Sequence, residues 1–93
     1  MVNEVASVIS NYEIASNYWQ AILKAPEISR MAKPGQFINI LPIKNWPKMM
    51  RRPMSIASNE HENISIIYKV VGEGTQYISD WKEGSKVDII GPL

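Results

Sequence analysis

Apolar and polar residues alternate along this chain in short runs that keep returning. Ile64, Ile66, Tyr68 and Val70 hold every second position of the stretch 64–71, so a strand built there places all four on one face. They are β-branched or aromatic, which suits a pleated and half-buried surface. Residues 3–14 alternate more loosely through Val5, Ser7-Val8-Ile9 and Tyr12 and predict a first strand. Residues 18–28 predict a second, carrying Trp19, Ala21-Ile22-Leu23 and Ala25, with an edge or bulge at Pro26. A third, 36–43, puts Phe37, Asn39 and Leu41 on one face and Ile38 and Ile40 on the other, and is halted at Pro42. Residues 50–57 predict the fourth, joined to the fifth by the polar turn 58–63, and residues 86–90 the sixth.

The period changes once. From Thr75 to Trp81 the apolar residues Tyr77, Ile78 and Trp81 fall at helical spacing, with Thr75 as N-cap and Glu83-Gly84 as the stop. Turn signals recur about every eight to twelve residues, the rhythm of a small all-β domain. Six short strands with one helix before the last predict an all-β, six-stranded antiparallel Greek-key barrel. At 93 residues the chain is expected to be one domain, 1–93, with a single core.

Composition narrows the chemistry by removal. With no cysteine there is no disulfide, thiolate metal site or cysteine nucleophile, and the lone His61 argues against a nitrogen-ligated metal. Met1-Val2-Asn3-Glu4 lacks the basic flank and apolar stretch of an export signal, and no apolar run reaches the length of a membrane span, so a cytoplasmic location is expected. The charges are unevenly placed. Between Ile28 and Asn59 stand six basic residues (Arg30, Lys33, Lys44, Lys48, Arg51, Arg52) and no acid, while the rest of the chain holds four basic and nine acidic. That block is either a solvated face or an anion site for which phosphate is the obvious ligand.

Two motifs carry the candidate chemistry. In Arg51-Arg52-Pro53-Met54-Ser55, strand alternation sends Arg52 and Met54 to one side and Pro53 and Ser55 to the other. Pro53 removes a ladder donor, so the sheet is expected to be an edge or to open there, and a gap there could admit a flat ligand. The plainer reading of Arg52 is an edge charge placed against aggregation. The second motif, Gly72-Glu73-Gly74-Thr75, follows the best strand and opens the helix. Its glycines allow close approach of a ligand to the backbone, and the first helical N–H groups lack internal partners. A tight strand-to-helix turn uses glycine for structural reasons too, and Glu73 disfavours an anion unless it turns to solvent. His61 reads as a surface residue, Trp81 as core, Trp46 as a loop residue open to exposure, and Met49, Met50 and Met54 as packing.

At these motifs the chain resembles the flavin-binding barrel of the ferredoxin–NAD(P) reductase superfamily, and most closely the electron-transfer subunits of dihydroorotate dehydrogenase B. The segments that carry the resemblance are Pro34-Gly35-Gln36-Phe37, Arg51 to Ala57, Ile67-Tyr68-Lys69-Val70 with Gly72-Glu73-Gly74-Thr75, and Asp88-Ile89-Ile90-Gly91-Pro92-Leu93. The resemblance implies a barrel that holds FAD. Arg52 would pair with the flavin or its phosphates, and Ser55, the one residue given a catalytic role, would donate to the ring near its reactive nitrogen. Pro53 and Met54 complete that segment. Met54 stands where an aromatic often stacks on the ring, so a thioether would serve there. Ile67, Tyr68 and Lys69 would line the ring and ribityl chain, and Gly74 with Thr75 would bind the pyrophosphate.

The family continues beyond Gly91-Pro92-Leu93 into a nicotinamide-nucleotide domain and a cysteine-rich [2Fe–2S] segment, which implies that NAD and the cluster belong to a part outside these residues. The expected partners are that nicotinamide-nucleotide domain or subunit and an FMN-containing dihydroorotate dehydrogenase catalytic subunit, with no nucleic acid and no membrane. The expected role is electron relay between dihydroorotate oxidation and NAD in pyrimidine biosynthesis, by an oxidoreductase component not active as 93 residues alone. A sulfide dehydrogenase or ferredoxin–NADP oxidoreductase subunit is the alternative within the superfamily. A small nucleic-acid-binding barrel is the alternative outside it, disfavoured because Phe37 is the sole phenylalanine and no basic–aromatic strand face is visible.

Overall fold

The computed structural model describes residues 1–47 and 50–93; Lys48 of the basic block and Met49 lie outside the described residues. Six strands close into an antiparallel barrel: β1 (Val2–Ala15), β2 (Tyr18–Lys24), β3 (Phe37–Leu41), β4 (Arg52–Glu60), β5 (Asn63–Lys69) and β6 (Lys86–Gly91). The order around the barrel is β1-β2-β5-β4-β3-β6. The expected six-stranded barrel is present, and so is a helix before its last strand, α2 (Glu73–Ser79).

The alternation read from the sequence decides which side chains fill the interior. Leu23, Ile38, Ile40, Ile64, Ile66 and Ile89 are fully buried. Each contributes about 1.5–3 kcal/mol relative to exposure, so the sheet closes around an aliphatic centre. Tyr68 points inward with them, while Ile67 and Lys69, one residue out of phase, are exposed.

Three expectations need correction. The second strand ends at Lys24, and Pro26 is no edge residue: it opens a further helix, α1 (Pro26–Met31), where its fixed φ and missing N–H are harmless. That helix is capped from far away, since the buried Glu4 carboxylate accepts from the N–H of Glu27 (3.2 Å) and of Ile28 (3.0 Å). Secondly, α2 begins at Glu73 with Gly72 as N-cap, and Thr75 lies inside the helix. Its hydroxyl reaches back to accept from the N–H of Val71 (2.9 Å) and Gly72 (3.1 Å), so it fixes the turn from the third helical position. The helix also stops at Ser79, leaving Trp81 buried beyond it with its indole N–H on the Pro42 carbonyl at 2.9 Å. Thirdly, β4 runs on to Glu60, and the polar turn shrinks to His61-Glu62, with His61 at φ 56° and exposed.

Candidate functional site

β4 changes partner halfway. Its first half pairs with β3 (Ser55 with Phe37, Met54 with Ile38, Pro53 with Asn39, Arg52 with Ile40), and its pairing with β5 begins only at Ile56, opposite Ile66. Beyond that point β5 continues alone against β2, through Ile67, Tyr68 and Lys69. The barrel wall is therefore open between Arg52–Met54 and the end of β5. Pro53 explains the opening. The Ile56 N–H donates to the Gln36 carbonyl on the β3 side, so main-chain groups of Pro53 and Ser55 face β5 by alternation. Pro53 offers no N–H there, and the ladder cannot continue.

The register also sorts the side chains. Met54 lies opposite Ile38, on the inner face, half-buried against the core. The structure thus turns this thioether inward and away from the exposed outer face, which carries Pro53, Ser55 and Phe37. Tyr68 is likewise turned inward, its hydroxyl donating to Asn11 Oδ1 at 2.7 Å, so only its main chain borders the opening. Burial pushes its phenol up to about 12, against the lowering effect of the Asn11 hydrogen bond. Ile67 and Lys69 are exposed, and the Lys69 ammonium lies 5.6 Å from the Tyr18 ring centroid.

Adjacent arginines are put to different uses. Arg51 is bound to β6: its Nη1 lies 2.8 Å from Asp88 Oδ1 and donates to the Asp88 carbonyl at 3.1 Å. Burial alone would raise the Asp88 carboxyl, but hydrogen bonds from Asn3 and Arg51 and the Arg51 charge outweigh it and hold the pKa below its ordinary value. Arg52 starts on the inner side of β4 and, at the barrel's rim, runs out against α2. A methyl placed on Gly74 would sit 2.9 Å from Arg52 Cγ, 3.0 Å from Cδ and 3.4 Å from Cη2 of Trp46. Gly74 therefore has to be glycine for the guanidinium stem and the backbone of α2 to lie together.

Arg52, Trp46, Gly72, Gly74 and Thr75 line one cleft of about 400 Å³. Trp46 is a member that sequence reasoning left as a loop residue. Its indole N–H donates to the Met50 carbonyl at 3.0 Å, and its ring meets Tyr77 edge-on with centroids 6.0 Å apart. The fixed spacing of a helical tyrosine and a loop tryptophan carries no local signal for that contact. The Thr75 hydroxyl is committed to the turn, so Thr75 presents main chain to the cleft. Glu73 is exposed. A larger cleft of about 490 Å³, walled by Leu41, Pro42, Trp81 and Val87, lies elsewhere. Volume favours it, but it holds no member of either motif, and the Asp88 at its edge is already paired with Arg51.

No family model matches the chain. It is 36% identical over 89 residues to the dihydroorotate dehydrogenase B (NAD(+)) electron transfer subunit of Bacillus velezensis, which covers 94% of this chain and 35% of that protein. The Bacillus pumilus subunit of the same name is also 36% identical, over 94% of this chain and 34% of its own length. The chain thus spans about a third of the length of these curated relatives. Among solved structures, an NADH-dependent reduced ferredoxin–NADP oxidoreductase superposes with a TM-score of 0.87 at 28% identity, covering 96% of this chain and 32% of that one. Phthalate dioxygenase reductase superposes at 0.71 with 21% identity, over 94% of this chain and 28% of its own, and shares the fold.

Proposed function

Taking as premise that the chain is a six-stranded barrel domain related to the ferredoxin–NAD(P) reductase superfamily and close to a portion of the dihydroorotate dehydrogenase B electron-transfer subunits, we propose that it binds FAD where the barrel wall opens between β4 and β5. One observation carries the reading: the Arg52 side chain and the glycine-lined turn Gly72–Thr75 meet at a single cleft, at the end of β4 where its pairing with β5 has stopped, while Ser55, Ile67 and Lys69 lie outside that cleft.

The residues present fit such a group. The opening offers the first residues of β4, Arg52 to Ser55, and the Lys69 end of β5 to a flat ring. Arg52 supplies a charge-assisted donor to phosphate, and the close approach at Gly74 lets main-chain N–H groups of the turn share that anion. Pyrophosphate recognition thus falls to Arg52 and to the main chain of Gly74 and Thr75. The Ser55 hydroxyl, on the outer face beside Phe37, would donate to the ring's polar edge. Ile67 would cover part of the ring and Lys69 would sit near the ribityl chain. Bound there, the flavin supplies the hydride and single-electron chemistry, and the protein supplies orientation and electrostatics.

In the full assembly this domain would serve an electron-transfer subunit that relays electrons between NAD and an FMN-containing dihydroorotate dehydrogenase partner, through a [2Fe–2S] cluster held outside these residues. The second reading is a flavin domain of a ferredoxin–NADP oxidoreductase subunit, favoured by the 0.87 superposition. Titration of the purified protein with FAD, FMN and riboflavin, followed by visible absorbance, tests the binding claim. FAD is expected to bind most tightly. Equal affinity for FMN would remove the second phosphate from the site, and no binding of any flavin would return the chain to the other small barrels.

A further inference from the structure

Asn11 is remote from the cleft in sequence and was not part of either motif, yet its side chain ties together three elements. Its Nδ2 donates to the carbonyls of Ile78 (2.9 Å) and Trp81 (3.3 Å), at the end of α2, and its Oδ1 accepts from the Tyr68 hydroxyl (2.7 Å) on β5. The arrangement has one solution. Main-chain carbonyls only accept, so the amide nitrogen must face them. The amide oxygen then faces Tyr68, which must be the donor.

α2 needs this support. Seven residues make about two turns, too short to hold themselves in water, so tertiary contacts decide where the helix lies. Its last turn contains no basic residue; the Ile78 carbonyl accepts from the Trp81 N–H at 3.1 Å, and the Asn11 amide adds a second bond to that carbonyl and one to the Trp81 carbonyl just beyond the helix. About 6 Å along the helix from Ile78, Gly74 lies against the stem of Arg52. Any drift of the C-terminal end is carried through a rigid two-turn rod to that contact.

We propose that Asn11, oriented by Tyr68, is a positioning residue for the cofactor cleft: it fixes α2 so that Gly74 and Arg52 keep the spacing that phosphate recognition needs. This rests on the flavin reading above. It also gives Tyr68 a role that its inward side chain can fill, holding the ligand site through the core without touching the ligand.

The test compares FAD with riboflavin, which has the ring and no phosphate, in the wild-type protein, Asn11→Ala, Tyr68→Phe and the double variant. Thermal melts run alongside. FAD affinity in Asn11→Ala is expected to fall about five- to tenfold while riboflavin affinity stays within about twofold. Tyr68→Phe is expected to do the same to a smaller extent, since Asn11 can still donate to the helix. The double variant should be no worse than Asn11→Ala, because both act through one contact. Tyr68→Phe keeps the ring that fills the core and supplies the answer if Asn11→Ala does not fold. Equal losses for both ligands, or a lowered melting point with the FAD-to-riboflavin ratio unchanged, would overturn the proposal and leave a structural hydrogen bond. A wild-type protein that binds both ligands equally would overturn the proposal by removing phosphate recognition, and one that binds neither would overturn the flavin reading and the proposal with it.

Discussion

The two halves of β4 each have one unpaired edge, and they are treated differently. From Ala57 to Glu60 the edge away from β5 is approached by α1 and its following turn, where the Asn59 amide donates to the carbonyls of Ser29 (3.0 Å) and Ala32 (3.4 Å). From Arg52 to Met54 the edge toward β5 has no cover among the described residues, and Arg52 and the Gly72–Thr75 turn stand beside it. Bare strand edges invite association, and proteins ordinarily cover or charge them. One half obeys that rule with protein atoms. The other keeps a proline, an arginine and open space, which is what a site for a flat anionic ligand requires.

The comparison is most directly broken at Arg52. Arg52→Ala is expected to weaken FAD binding by about 1.5–3 kcal/mol, roughly ten- to hundredfold in Kd, as for loss of a charge-assisted hydrogen bond. Arg51→Ala should leave affinity nearly unchanged, because Arg51 is engaged with Asp88. Its effect should appear in acid, where the lowered Asp88 pKa means stability is present above the ordinary value of 3.8 and is lost as pH falls below it. Similar loss of FAD affinity in both variants would indicate a diffuse basic field in place of one contact.

Tyr68 sharpens the comparison from the inner side of the opening. Below pH 10 the phenol is protonated in folded and unfolded chains alike; between 10.0 and about 12 the unfolded chain releases a proton that the folded chain retains. Stability must then fall as pH rises through that window, by about 2–3 kcal/mol in all. Urea midpoints measured from pH 9 to pH 12 should show this loss in the wild type and not in Tyr68→Phe.

Gly74→Ala asks whether the Arg52 contact is needed for binding or merely tolerated. The new methyl would displace a flexible stem, so folding should be little affected, while FAD affinity should drop about three- to tenfold, or roughly 0.7–1.4 kcal/mol. Isothermal titration with a parallel melt separates the two, and unchanged affinity would mean that Arg52 can act from elsewhere.

The smallest expected effect on binding is at Ser55. Losing one neutral hydrogen bond costs about 0.5–1.5 kcal/mol, but a donor placed at the reacting edge of the ring matters more as charge shifts there. Ser55→Ala, in a protein fused to a nicotinamide-binding domain, should therefore show slower stopped-flow reduction by NADH with FAD saturating. An unchanged rate would leave Ser55 a surface strand residue.

What the sequence determined by itself was the barrel, the faces of its strands and the place where it opens. Each depends on local chemistry: the period of two in residues 64–70, the inward set Ile38 and Ile40 beside the outward Phe37 and Asn39, and the donor missing at Pro53. The separation of Arg51 from Arg52 was also local, because neighbouring strand residues face opposite ways. Tertiary structure alone decided α1, whose cap is a carboxylate 23 residues earlier, and the inward setting of Tyr68, whose partner is Asn11, 57 positions away. It also brought Trp46 over Gly74 and drew the Thr75 hydroxyl back into the turn. A residue's face follows from its phase along the strand, but the partner of a buried polar group depends on how distant segments are brought together when the barrel closes. Burial then favours such a partner strongly, since an unpaired polar group inside costs about 1–3 kcal/mol, a cost the Ser10 hydroxyl, buried without a partner among the described residues, still bears.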